Sequence, residues 1–214
     1  PLMGYPGAEL TGTSLKQNEF NWGVHFWSIS ELADQLEPDA IFFMMDLSIE
    51  AGALGFPIRY PLQESPTVET HLVKSEADLE QFMAVDILKD ARVNAYLQTM
   101  RMMSDNLSPL KGGYCIGPFT LAGLLMGASD VAMATIDNPA LVHKVLHFGT
   151  SVISRYAVSL VDHGADLIAI LEPTAVMLSP RQFAEFSGAY IRQIVRAVHA
   201  MSLLHVCGDT THLV

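Results

Sequence analysis

The chain has 214 residues, 50% of them hydrophobic and 16% charged, so it can bury a large core and is no disordered tail. Lys and Arg number 12 against 23 Asp and Glu, a net charge of −11 with no basic block, which argues against nucleic-acid binding through phosphate neutralisation. No apolar run approaches the ~20 residues of a membrane span. No export signal is visible, and two cysteines, Cys115 and Cys207, make no secreted disulfide framework. A cytoplasmic protein is expected.

Pro1 to Tyr5 is a weak strand candidate. Ala40 to Met45 is a continuous apolar run ended by Asp46, the pattern of a strand buried on both faces. Residues 47–74, with Gly52, Gly55, Pro57, Pro61 and Pro66, read as an excursion. Ser75-Glu-Ala-Asp78 reads as a capping box opening a helix that reaches toward Met103. Gly113 to Gly117 is the next strand. Asn138-Pro139 starts a helix that closes near His163-Gly164. Asp166 to Leu171 is a strand ended by Glu172. Ser179-Pro180 opens a helix through about Ala200, and Ser202 to Cys207 is a last strand ended by Gly208.

Strands alternating with helices imply α/β with right-handed crossovers. An open doubly wound sheet and a (β/α)8 TIM barrel both begin this way. No Gly-rich phosphate loop follows the first strand, and Asp46, Glu172, His205 and Cys207 sit at C-terminal strand ends, which favours the barrel. Five strands are counted where a barrel of ~250 residues has eight. The expectation is one domain over 1–214, an incomplete barrel lacking its last third. Its open edge would be covered by a homodimer or by further chain.

On a strand, residues i and i+2 share a face, so His205 and Cys207 would enter the barrel mouth together. An imidazole nitrogen and a thiolate suit Zn²⁺. A buried Cys beside a hydrogen-bonded His fits the same spacing. A zinc site needs a third ligand; Cys115 reads as a packing residue. Asp46 could orient a substrate, act as a general base or cap the next helix, since an unpaired buried carboxylate is costly. Glu50 reads as solvated or paired. Glu172 could accept a hydrogen bond from His205 or stabilise a helix start. His143 and His147 lack the glutamate of H-E-x-x-H and read as a surface pair. His212 lies past the Gly-Asp turn and carries no assignment.

Three segments together resemble one family. Gly117-Pro-Phe-Thr-Leu-Ala-Gly-Leu-Leu-Met-Gly127 is similar to the G-P-F/W-T-L stretch of the uroporphyrinogen decarboxylase superfamily. Asp46-Leu-Ser-Ile-Glu-Ala-Gly-Ala-Leu-Gly55 resembles its D-x-x-x-x-x-x-A-L-G stretch. Gly164-Ala-Asp…Glu172-Pro173 followed by Ser179-Pro-Arg-Gln-Phe183 resembles its G-A-D…S-P-x-x-F pattern.

The resemblance implies the (β/α)8 barrel and two candidate chemistries. The decarboxylases carry arginines in an R-Q-A-G-R-Y segment, whereas residues 1–21 here contain no Arg. Only Asp46 matches that branch's catalytic Asp. The corrinoid methyltransferase branch carries H-x-C-G plus a distant Cys as zinc ligands, which Leu204-His-Val-Cys-Gly-Asp209 resembles. That likeness implies zinc on His205 and Cys207, with the third ligand expected after Val214. It implies a methylated corrinoid (cobalamin-type) donor carried by a corrinoid protein, and a small thiol acceptor such as coenzyme M. Asp46 and Glu172 would then orient substrate or support the ligands. The alternatives are a decarboxylase acting on a tetrapyrrole or other carboxylate through Asp46, and a corrinoid- or tetrapyrrole-binding protein without turnover.

Overall fold

The computed structural model describes residues 5–213. Three helices come first: α1 (Tyr5–Thr11), α2 (Leu15–Phe20) and α3 (Trp22–Leu36). Ser14 opens α2 with a capping box, and Asn21 caps α3 by accepting from the Gly23 and Val24 amides. Strand β1 (Ala40–Phe42) leads to α4 (Ile49–Ala53), the short antiparallel pair β2 (Ile58–Arg59) and β3 (Thr67–Val68), then α5 (Glu76–Glu80) and α6 (Ala91–Asn106). Next are β4 (Leu110–Ile116), α7 (Pro118–Met126), α8 (Ala128–Asp137) and α9 (Pro139–Asp162). The chain continues with β5 (Leu167–Leu171), α10 (Pro180–Phe183), a π turn (Ala184–Gly188), α11 (Ala189–Ala197) and β6 (Met201–His205).

Strands β1, β4, β5 and β6 form one parallel sheet in that order, with helices between consecutive strands. All five residues of β5 are buried, which is why that segment shows no polar alternation. Its register places Leu171 beside Ile116 on one side and His205 on the other, so the chemistry-bearing strand ends share one rim of the sheet. Strand β6 differs. Among the described residues it pairs only with β5, and Met201, Leu203 and Leu204 remain about half exposed.

Several expected elements shift. Residues 1–4 of the weak first strand lie outside the described residues, and Tyr5 opens α1 instead. Ser75 does form a capping box with Asp78, but its helix stops at Glu80. A new helix starts at Ala91, where Asp90 caps the Arg92 and Val93 amides. The helix opened by Ser179 is interrupted by the π turn and ends at Ala197. The start at Asn138-Pro139 holds, with Asn138 capping Leu141 N and the helix running to Asp162.

Helix α7 is almost wholly buried, so both of its ends need partners from the protein. Glu172 serves the N-terminus, as described below. At the C-terminus the 71–74 segment supplies three donors to three successive carbonyls. His71 Nδ1 donates to Leu124 O (2.8 Å), Val73 N to Leu125 O (3.0 Å) and Lys74 Nζ to Met126 O (2.9 Å). Among the described residues no single helix is long and apolar enough to cross a membrane; α7 and α8 together have the length but are bent by 104°.

Candidate functional site

His205 is the last residue of β6, and Cys207 follows two positions later, before Gly208 turns the chain at φ +94°. The strand expected to run through Cys207 therefore stops two residues short of it, yet the two side chains still meet, with His205 Nε2 2.9 Å from Cys207 Sγ. Both residues are exposed. Two ligands of one tetrahedral zinc, at roughly 2.3 Å for sulfur and 2.0 Å for nitrogen, stand about 3.5 Å apart. A side-chain rotation that opens the pair by roughly half an ångström would seat the ion, so the donor set fits zinc. No group of three or more His, Cys, Asp or Glu that could hold a metal occurs among the described residues. Cys115 is no third ligand here: it is buried in β4, and burial pushes its thiol well above the usual range. Asp209 accepts from Thr211 N and Oγ1, and His212 Nε2 donates to Leu178 O at 3.2 Å.

Glu172, directly after β5, is fully buried. Its Oε1 accepts from Phe119 N (2.9 Å) and Ser187 Oγ (2.7 Å), and its Oε2 from Thr120 N (2.8 Å). The carboxylate therefore caps α7, the helix after β4 rather than the one that follows Glu172 itself. No hydrogen bond from the His205 ring reaches it; the link to His205 is through backbone, Glu172 N donating to His205 O at 2.8 Å. Burial raises the Glu172 pKa, opposed by the Ser187, Thr120 and Phe119 donors. A Cβ at Gly117 would meet Glu172 Oε2 at 2.2 Å, so the glycine of the G-P-F-T segment makes room for this cap. Thr120 Oγ1 in turn accepts from Thr174 N at 3.1 Å, tying the G-P-F-T and E-P-T segments together.

Asp46 occupies a different cluster. Its side chain is sealed from solvent, with Oδ1 accepting from Ser48 N and Oγ (both 2.8 Å) and Oδ2 paired with Arg92 Nη2. Arg92 also donates to Ser48 Oγ and Tyr60 OH, and its guanidinium carbon lies 4.8 Å from the Tyr60 ring centroid and 5.9 Å from that of Phe20. Asp46 thus pairs across the β1 end, α6 and the β2 hairpin rather than capping a helix. Arg92 escaped sequence reasoning because one Arg in a helix's first turn carries no signal of a partner 46 positions away.

Glu50, expected as solvated or paired, is buried outright. Its Oε1 accepts from Ile116 N at 2.9 Å, and burial raises its pKa to about 8. Glu19 is also buried, with its pKa pushed to about 7, first by desolvation and then by the Asp46 charge. His25 Nε2 accepts from Met44 N (2.8 Å), and burial lowers its pKa to about 3, so it is a neutral brace for the chain leading into Asp46. His143 is held on the surface of α9 by Tyr190 OH (2.7 Å) and stacks on Phe186.

The structure therefore joins His205 to Cys207 directly and to Glu172 by backbone, and places Asp46 in the Arg92 cluster. Set beside known proteins, residues 30–214 match the profile of the family described as uroporphyrinogen decarboxylase (URO-D). The methylcobamide:CoM methyltransferase MtbA of Methanosarcina acetivorans is 29% identical over 184 residues, which is 81% of this chain and 53% of that protein. A uroporphyrinogen decarboxylase of Neisseria meningitidis serogroup B is 29% identical over 168 residues, 76% of this chain and 47% of the relative. The chain thus spans about half the length of the curated relatives it matches. A solved methyltransferase from Methanosarcina mazei superposes with a TM-score of 0.88 at 22% identity, covering 96% of this chain and 62% of the other, a likeness of fold. The sheet is accordingly part of a barrel of that type.

Proposed function

The chain belongs to the uroporphyrinogen decarboxylase family, and from that premise we propose that the protein is a zinc-dependent methyltransferase carrying a methyl group from a methylated corrinoid to a small thiol. The observation that carries this reading is the convergence of His205 Nε2 and Cys207 Sγ, 2.9 Å apart at an exposed strand end. Those two side chains would hold the metal, with one further ligand from elsewhere in the protein. A bound zinc ion would supply the Lewis acidity that keeps a thiol acceptor as thiolate at neutral pH. Glu172 contributes by fixing the strand end that carries His205. The Asp46–Arg92 pair contributes rigidity where β1 and the β2 hairpin meet. The relatives named methylcobamide:CoM methyltransferases act, by that name, on a methylated cobamide and coenzyme M; in this reading the corrinoid would arrive on a partner protein. A cytoplasmic location and a homodimer belong to the same reading.

A decarboxylase working through Asp46 is less well supported, because the Asp46 side chain is closed to solvent and both its oxygens are engaged. The test is zinc content and methyl transfer from methylcobalamin to coenzyme M in the full-length protein. Stoichiometric zinc that is lost in His205→Ala and Cys207→Ala, together with the transfer activity, is the expected result. Unchanged zinc in both variants, or turnover without zinc that depends on Asp46, would end this reading.

A further inference from the structure

The π turn between α10 and α11 does one thing a regular helix would not. An extra residue in a turn rotates everything after it by about 100°. Here that turn contains Ser187, fully buried, with its Oγ 2.7 Å from Glu172 Oε1. Glu172 is held there by three donors from two other segments, Phe119 N and Thr120 N of α7 and the Ser187 hydroxyl. Its own amide makes the rung to His205 O at 2.8 Å, where β5 hands over to the ligand-bearing end of β6. Among the described residues β6 has a strand neighbour on that side alone. The direction of the His205 backbone, and with it the approach to Cys207, is therefore set from Glu172.

We propose that Ser187 is a positioning residue for the His205–Cys207 pair, acting through Glu172 and the last rung between β5 and β6. Ser187 touches neither side chain. It completes the set of donors that pins the Glu172 carboxylate, which occupies the space a side chain at Gly117 would take. The inference rests on the zinc reading above and concerns how firmly the two ligands are presented.

The experiment measures zinc affinity of the full-length protein by competition with a chromophoric chelator, and the ligand-field absorption of the Co²⁺ form, in wild type and Ser187→Ala. Loss of a partner bonded directly to a metal ligand weakens binding roughly 10-fold or more; Ser187 acts one residue further out, so a smaller drop of about 2- to 5-fold with an altered Co²⁺ spectrum is expected. Ile194→Val, a core change in α11, controls for general stability. Where Ser187→Ala does not fold, Ser187→Cys, of similar size and weaker donor strength, is read in the same way. Equal affinity in wild type and the Ser187 variant overturns the proposal, as does an equal loss in Ile194→Val at matched melting temperature. A wild type that binds no zinc would remove the functional reading together with this one, whereas zinc binding indifferent to Ser187 would remove this one alone.

Discussion

Arg92 closes over Asp46 in an ion pair with 5% of the arginine side chain and none of the aspartate's exposed. Such a pair gains little over an apolar filling but is costly to break, because the survivor is left charged and buried. Arg92→Met should therefore destabilise the protein by ~3–5 kcal/mol. The double change Asp46→Asn with Arg92→Met should cost clearly less than the two single losses added together. Urea unfolding of the four proteins in the cycle measures this, and additive losses would show that the two side chains do not act as a pair.

The buried Glu50 makes stability fall toward alkaline pH. Its folded pKa of about 8 lies above the ordinary carboxylate value of 4.5, so the folded state keeps a proton that the unfolded state has released. The contribution is complete below about pH 4.5 and is lost progressively as pH rises to about 8. Glu19, raised to about 7, adds to the slope over the lower part of that window. At ~1.4 kcal/mol per pH unit for one proton, a loss of a few kcal/mol across the window is expected. Glu50→Gln keeps an acceptor for Ile116 N and cannot ionise, so its urea midpoint should vary less with pH. An equally steep decline in that variant would place the titrating group elsewhere.

Much of this was legible in the chain itself, for identifiable reasons. Leu167–Leu171 reads as a doubly buried strand because no solvent-facing position interrupts it. The convergence of His205 and Cys207 was expected from an i, i+2 spacing on a strand through Cys207; the pair does meet, although the strand itself ends at His205. A capping box, by contrast, states where a helix begins and not where it ends, so the break between Glu80 and Ala91 was hidden. The fate of Glu50 is decided by the amide of Ile116, 66 positions away, and that of Glu172 by Phe119 and Thr120 in the preceding β–α unit. The π turn was also invisible, since one inserted residue shifts a helical pattern without erasing it.

Gly117→Ala tests the tie between two of the recognisable segments. At φ −81° the backbone tolerates alanine, so any penalty comes from the new methyl group, which meets the Glu172 carboxylate at 2.2 Å. Overpacking of this kind costs ~1–3 kcal/mol, and disturbing hydrogen bonds to a charged acceptor adds ~1.5–3 kcal/mol each. A loss of at least ~2 kcal/mol is expected on those grounds. Adding Glu172→Ala should cost the Gly117→Ala protein less than it costs wild type, because the clash goes with the carboxylate. Calorimetric melting of the single and double variants decides it; full additivity would mean that the two positions are not in contact.

The exposed side of β6 predicts how the 214-residue chain behaves on its own. Met201 and Leu203 alternate with Ser202 and Leu204, so apolar side chains stand on both faces of a strand whose outer edge is unpaired among the described residues. Exposures of 54%, 46% and 46% for the three apolar residues are high for a parallel sheet, which is ordinarily covered on both faces. An open edge with apolar flanks is a template for pairing with another chain. The chain alone should therefore self-associate with rising concentration in size-exclusion chromatography with light scattering. Leu203→Lys combined with Leu204→Lys should shift it toward monomer, as charged residues do on edge strands. Ile136→Lys on α8, at 73% exposure, removes as large an apolar group from another face and should change the association little. A chain that stays monomeric at high concentration, or that responds equally to both sets of changes, would show that β6 is not the associating surface.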